Sequence, residues 1–502
     1  MRFYLCPRNQ LNDKMVLIAV LLLALFCLLS PFKSAERIAV PLVGASFLFS
    51  AYTMWDPTPA ISGWGLNFDT AGRLFSTAIT FVSLAVLAYS MRHFDGHRSK
   101  RLYFRRFVAL TISLVVFSTA DHLLLMVGGL LLSNFLLIRL MEPNPFWAAA
   151  RASARSAFIH LGIGGLILAC AVAVVYFTQG HLSLQRLYAD WSATPWLPLI
   201  SGFIIVAALA QSAIWPLQNW LIASANAPTP VSAFMHAGLV NGGALILYKF
   251  YPLLALTGWS GTVLIALGGL TAVLGTVWML VQSDVKRTLT CSTMGQMGFM
   301  IMQCGLGLFP AALAHMIWHG LFKASLFLSA GSTVKAASNK SLKLEGPYVL
   351  PVFVFGIAMG VAGAYVFWLF TNASGGLGTT YALLLLFCGI TCAHAAMTIL
   401  QPSPSLGRGL LAAALGLLGA TVYGASVWAV ETQIAHLPAP ALNAAHIGIA
   451  IFFALGWLAM IFRAQFPSFV SQQWMAPLYV RFLKGSQPKH STLSLRRSSY
   501  KL

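Results

Sequence analysis

The chain has 502 residues, of which 58% are hydrophobic and only 8% charged, with a mean hydropathy of +0.79. A soluble protein of this length could not hide so much apolar surface, so the composition excludes a soluble globular fold and requires a membrane-embedded one. The net charge of +20 does not imply nucleic-acid binding. The Lys and Arg residues cluster in short loops and at the C-terminus, as the positive-inside rule and an anionic cytoplasmic leaflet produce.

Apolar runs of about 20 residues recur along the whole length and are continuous rather than alternating, which excludes a β-barrel. The expected fold is an all-α integral membrane protein with about 15 transmembrane helices. The basic N-terminus, the apolar run Met15 to Leu29 and the following PFKSA resemble a signal peptide, but the many later spans favour a retained first helix. Spans are predicted at 15–30, 37–55, 70–91, 106–120, 122–141, 155–177, 197–225, 228–248, 258–281, 287–307, 311–334, 348–370, 379–400, 409–430 and 444–463. The segment 197–225 reads as a broken helix, because Pro216 in AQSAIWPLQNW lacks a backbone donor. Interrupted helices of this kind often line transport sites.

The organisation expected is N-terminal transmembrane helices over 1–69, a core over 70–335, a second transmembrane half over 336–465 and a basic tail over 466–502. The basic loop 92–106, Arg151 and Arg155, the DVKR turn ending at Arg287, Lys335 to Lys343, Arg408 and the tail all fall on one side. That side is expected to be cytoplasmic in a cell inner (plasma) membrane, with the N-terminus outside and the C-terminus inside. Arg2, Arg8 and Lys14 run mildly against this. Phe466, Phe469, Trp474, Tyr479 and Phe482 give the tail aromatic anchors, which suit either a docked protein partner or membrane lipid.

Ionisable groups at membrane depth are costly and usually mark an ion or proton path. His236 lies in PTPVSAFMHAGLV, and His315, His319 and Lys323 lie in AHMIWHGLFKASLFL. The last three are spaced i, i+4, i+8 and form one helical stripe. Lys286 is a further candidate, although its place beside a basic turn also suits a purely topological role. Asp121 is the acid expected nearest to membrane depth. It suits a helix N-cap before HLLLM, or a substitute acid two turns before Gly128. Gln211 is expected to be a polar lining residue that hydrogen-bonds a backbone group freed near Pro216. The seven cysteines have no CxxC spacing. Cys388, Cys392 and His394 lie close together, yet buried thiols are the commoner reading. No GxGxxG, Walker or HExxH motif is present.

LFSTAITFVSLAVLAYSM, ADHLLLM, PLQNWLIASANAPTPVSAFMHAG, SDVKRTLTCSTMGQMGFM and HMIWHGLFKASLFLSAGS occur in this order over roughly 70–335. In these motifs the chain resembles the antiporter-like subunits of respiratory complex I and of multisubunit cation/proton antiporters, with the subunit-5 (NuoL) branch most similar. The resemblance implies an antiporter-like fold. It also implies proton-path roles for His236, Lys286, His315, His319 and Lys323, which match the family's polar positions. Two family residues are missing. The WEG glutamate of the fifth helix falls on Gly128, and the KSAQ lysine of the broken helix falls on Gln211. Between Gly346 and Gly407 there is no Lys, Arg, Asp or Glu, so the family's second lysine channel is absent too.

Loss of both members of an ion pair fits a repurposed copy, since loss of one would strand the other. The chain also ends soon after its last expected span, without the long lateral helix of subunit 5. It is similar in these respects to the DabB branch, membrane subunits of complexes that accumulate dissolved inorganic carbon. That resemblance implies a non-enzymatic transporter subunit with no cofactor of its own. Its partner would be a large cytoplasmic DabA-like subunit resembling a β-carbonic anhydrase and holding zinc. The alternatives are a Na+/H+ antiporter or complex I-like proton-pumping subunit, and a transport-inactive membrane scaffold.

Overall fold

A computed structural model describes residues 35–55, 62–63, 65–142, 147–189, 191, 193–331, 349–371, 376–401, 404–434, 439–462, 475–489 and 492. Helix α1 (Ala35–Trp55) is followed by a small antiparallel hairpin of β1 (Ser62–Gly63) and β2 (Leu66–Asn67), with Ser62 opposite Asn67. Four long helices follow: α2 (Thr70–His93), α3 (Lys100–Thr119), α4 (Leu123–Met141) and α5 (Ala148–Gln179). After the short α6 (Leu184–Ala189) comes a broken element, α7 (Leu197–Gln211) and α8 (Asn219–Ala223). Helices α9 (Thr229–Ala237) and α10 (Gly242–Lys249) then form one interrupted crossing, and α11 (Tyr251–Ala255) is a short turn. The chain continues through α12 (Ser260–Leu280), α13 (Val285–Gly305), α14 (Phe309–Leu328), α15 (Val349–Thr371), α16 (Tyr381–Leu400), α17 (Leu406–Glu431) and α18 (Ala444–Phe462). It closes on the amphipathic α19 (Met475–Gly485).

Among the described residues, 12 helices are long and apolar enough to cross a membrane. This bears out the all-α membrane fold. The broken α7–α8 element and α13 occupy the predicted spans 197–225 and 287–307, and the predicted span 15–30 lies outside the described residues. Side-chain caps fix several helix starts. Asp69 accepts from Gly72 N at 2.9 Å to begin α2, and Asp284 accepts from Arg287 N at 2.9 Å to begin α13.

Helix α13 is the least apolar of the core helices, and its position is explained by glycine. Gly261, Gly268 and Gly275 lie one heptad apart on α12 and face Gly305, Gly298 and Gly295 of α13. A Cβ on Gly275 would stand 2.3 Å from Gly295 N, and one on Gly268 would stand 2.7 Å from Gly298 O. The two backbones therefore touch, as small-residue seams permit in membranes. This contact pulls Ser292 and Gln303 of α13 into the protein. The most enclosed crossing is 229–249, of which 94% is buried, whereas α18 is only 11% buried and lies at the rim.

The bundle has two chemically different ends. One carries the basic loops, where Lys286 donates to Ala227 O at 2.9 Å and Arg287 donates to Gln487 Oε1 at 2.8 Å. Gln282 bonds Ser486 Oγ at 2.6 Å and Asn226 bonds Thr492 O at 2.6 Å, so the tail is strapped across this end. The opposite end carries Asp69, Asp121, Lys249 and Glu431 among its loops and helix termini.

Candidate proton-path site

The i, i+4, i+8 stripe on α14 is one line of polar groups. His319 and Lys323 are 5% and 1% exposed, and His315 is half-buried. Lys323 Nζ donates to Ser292 Oγ at 2.8 Å and approaches Leu289 O at 3.4 Å, both on α13. One turn along α14 the His319 ring lies 6.0 Å, centroid to centroid, from that of His315. His315 Nδ1 donates to Gln303 Oε1 at 3.1 Å, Gln303 Nε2 donates to Tyr423 Oη at 3.4 Å, and Tyr423 Oη reaches Ala311 O at 3.4 Å. The sequence stripe is thus one end of a longer chain, Lys323–His319–His315–Gln303–Tyr423. A cavity of about 610 Å³ between α13, α14, α16 and α17 opens onto Lys323, His319, His315 and Tyr423.

His236 is fully buried on α9, with its ring stacked on Phe327 of α14 at 4.3 Å and 12°. Close approach here depends on Gly320, whose added Cβ would stand 2.7 Å from Ala237 O. Among the described residues neither ring nitrogen of His236 or of His319 has a hydrogen-bond partner. Buried polar atoms normally find partners. Of the two, His319 lines the cavity, and an imidazole left unpaired there is suited to exchange protons with a mobile carrier.

The other expected residues are placed elsewhere. Lys286 does not join the stripe. It sits at the first turn of α13 and holds the Ala227 carbonyl that precedes α9, so it positions the helix bearing His236. Asp121 is not the cap of α4, whose cap residue is His122. Its carboxylate accepts from Ser183 Oγ at 2.7 Å and Gln185 N at 3.0 Å, and so it ties the start of α6 to the start of α4. The two-turn argument linking Asp121 to Gly128 fails because Asp121 precedes the helix. Gly128 itself is exposed, with nothing within 4 Å of an added Cβ.

Gln211 is buried at the end of α7 and forms a reciprocal amide pair with Asn134 of α4, at 3.0 and 3.2 Å. It also donates to Leu239 O at 3.1 Å. The break after it is a left-handed turn, with Ala213 at φ 54°. The backbone groups freed there are met by side chains. Ser212 Oγ donates to Val240 O at 2.8 Å, Trp220 Nε1 to Ala210 O at 3.0 Å, and Trp215 N to Thr271 Oγ1 at 3.1 Å. The expected lining role of Gln211 is therefore a neutral amide lock.

Several polar residues escaped the sequence reading. Lys249, 2% exposed, pairs with Asp69 at 3.7 Å, and Tyr188 Oη donates to the Lys249 carbonyl. Burial, with Asp69 nearby, holds the Tyr188 phenol well above its usual range. Glu431, 8% exposed, accepts from Tyr381 Oη at 2.7 Å. Asp121 is accordingly not the one acid to consider. Cys388 and Cys392 direct their thiols at the carbonyls of Gly363 and Gly416. Among the described residues no group of three His, Cys, Asp or Glu side chains is placed to hold a metal.

The bundle thus holds a broken helix, a polar stripe on α14 and, packed against that stripe helix, a buried histidine on an enclosed crossing. Residues 120–346 match the family described as NADH:quinone oxidoreductase/Mrp antiporter, TM. The chain is 33% identical over 340 residues to "Probable inorganic carbon transporter subunit DabB1" of Halothiobacillus neapolitanus, covering 65% of this chain and 60% of that one. It is 28% identical over 454 residues to "Probable inorganic carbon transporter subunit DabB" of Hydrogenovibrio crunogenus, covering 86% of this chain and 85% of that one. In fold it is similar to a chain in the structure of the Mrp complex from Dietzia sp., with a TM-score of 0.59, 22% identity, and coverage of 94% of this chain and 52% of that chain. The matched region spans 60% of the length of the Halothiobacillus relative. The resemblance read from the five motifs is borne out.

Proposed function

We propose that this chain is the membrane subunit of an inorganic-carbon accumulation complex, and that inward proton movement along its polar path drives a cytoplasmic partner. The observation that carries this reading is the buried relay from Lys323 through His319 and His315 to Gln303 and Tyr423. The names of the similar proteins supply the cargo. The partner would be a large carbonic-anhydrase-like protein whose zinc hydrates CO2, and this chain would supply no cofactor to that chemistry. The basic end of the bundle would face the cytoplasm of a cell whose plasma membrane holds the complex. Its strapped tail and α19 would offer the docking surface.

The energetics are adequate. A charge crossing 100 mV releases about 2.3 kcal/mol, so a force of about 200 mV gives roughly 4–5 kcal/mol per proton. At about 1.4 kcal/mol per tenfold, that supports an accumulation on the order of a thousandfold. A sodium-coupled or pump-type role is the neighbouring reading, given the Mrp-like fold. The Gln211–Asn134 lock favours a second reading, in which the chain no longer transports and only anchors the partner.

The test is complementation of a strain that lacks carbonic anhydrase and cannot grow in ambient air. The chain expressed with a Cys- and His-rich soluble partner from the same operon should restore growth and co-purify with zinc in that partner. Growth restored equally by the partner alone would remove the coupling role.

A further inference from the structure

The relay described above stops at Tyr423, inside the protein. It still needs a group that exchanges protons with the water beyond the acidic end of the bundle. Helix α17 carries Tyr423, Val427 and Glu431 at i, i+4 and i+8, so all three lie on one face. Glu431 stands about 12 Å further along that face, at the last turn of the helix. It is 8% exposed. One carboxylate oxygen accepts from Tyr381 at 2.7 Å, and the other, Oε2, is buried with no partner among the described residues.

The surroundings are those of a mouth rather than of a sealed core. Two residues on, Gln433 O accepts from Thr70 Oγ1 at 2.8 Å, and Thr70 adjoins Asp69, the partner of Lys249. Between Tyr423 and Glu431 the face is closed by Val427, which is 0% exposed. A buried carboxylate with a free oxygen is costly unless it is used or paired. Tyr381 satisfies half of it.

We propose that Glu431 is the proton-exchanging carboxylate at the acidic end of the path, feeding Tyr423, Gln303 and His315, with Val427 as the closed dry segment between them. This rests on the reading of the α14 stripe as a proton relay. In one transfer, water admitted past Val427 accepts the Glu431 proton and passes it to the Tyr423 end of the relay, and the carboxylate is reloaded from the water on its own side.

The test uses the full chain in its complex in membrane vesicles, with two readouts. The first is labelling with dicyclohexylcarbodiimide, read by mass spectrometry. A protonated carboxyl in an apolar pocket adds its O–H across one C=N bond of the reagent and rearranges to a stable N-acylurea. Glu431 should take the label, and Tyr381→Phe, which releases its bonded oxygen, should raise the yield several-fold. The second is proton uptake driven by an imposed pH gradient. Glu431→Gln keeps the acceptor for Tyr381 yet should slow uptake on the order of a hundredfold, and Glu431→Asp should retain most of it. Unlabelled Glu431 together with wild-type uptake in Glu431→Gln overturns the proposal. Wild-type uptake in His319→Ala, which leaves Glu431 intact, overturns instead the relay reading on which it rests.

Discussion

Replacing Gln211 by lysine restores the residue type that antiporter-like subunits carry in the broken helix, and the structure explains why the change should do harm. Gln211 is 3% exposed, and its amide makes three hydrogen bonds, two with Asn134 and one to Leu239 O. An ammonium has donors only. It can serve Asn134 Oδ1 and Leu239 O, but Asn134 Nδ2 then loses its acceptor, at about 1–3 kcal/mol. The new charge also lacks a counter-ion, because the groups that the Gln211 side chain bonds, Asn134 and Leu239 O, are neutral. An uncompensated buried charge costs about 3–5 kcal/mol. Together the loss is about 4–8 kcal/mol, a large share of the roughly 5–15 kcal/mol that holds a domain folded. The variant should therefore melt earlier in detergent, yield less assembled complex and show no gain in carbon-dependent growth. Adding Asn134→Asp supplies the missing acid at the contact that exists, and should return about 1–3 kcal/mol as coupling. A single variant that melts with the wild type and grows as well or better refutes the amide-lock argument.

Three further outcomes follow from particular contacts. Gly275→Leu should force α12 and α13 apart, because even a Cβ there meets Gly295 N at 2.3 Å; a loss of about 3 kcal/mol or more is expected in thermal melts, and a neutral result contradicts the seam. Asp69→Asn removes the partner of buried Lys249 and the charge on the α2 cap; a loss of about 1–3 kcal/mol should appear at neutral pH, whereas an unchanged melting temperature would make the pair ornamental. Truncation after Gln465 removes the strap formed by Ser486, Gln487 and Thr492, and should abolish co-purification with the soluble partner; full recovery of the partner would make α19 a lipid-facing segment instead.

What the sequence disclosed depended on how local each feature was. The α14 stripe was legible because three ionisable residues at four-residue spacing leave little else to read in an apolar helix. The break after Gln211 was legible from Pro216, although the helix ends before the proline, at a left-handed Ala213. Partners across helices were not legible. Asn134 lies six residues from Gly128, on another face of α4, so no spacing rule leads from the position the motif resemblance singles out to the residue that meets Gln211. Gln303 and Tyr423 are ordinary polar residues until α13 and α17 bring them to His315. Lys249 and Glu431 sit at helix ends, where a charge normally marks only a boundary. Asp121 was misjudged because α4 begins one residue later than a cap at that position requires.

The central claim is that protons moving through the α14 stripe drive carbon accumulation, and it is tested most directly by measuring both in one preparation. Vesicles holding the complete complex would be given an inward proton gradient, with internal pH followed by a trapped dye and internal bicarbonate by isotope. The wild type should take up protons and bicarbonate together, and Lys323→Ala and His319→Ala should lose both while the partner remains bound. Wild-type bicarbonate accumulation in both assembled variants would contradict the account.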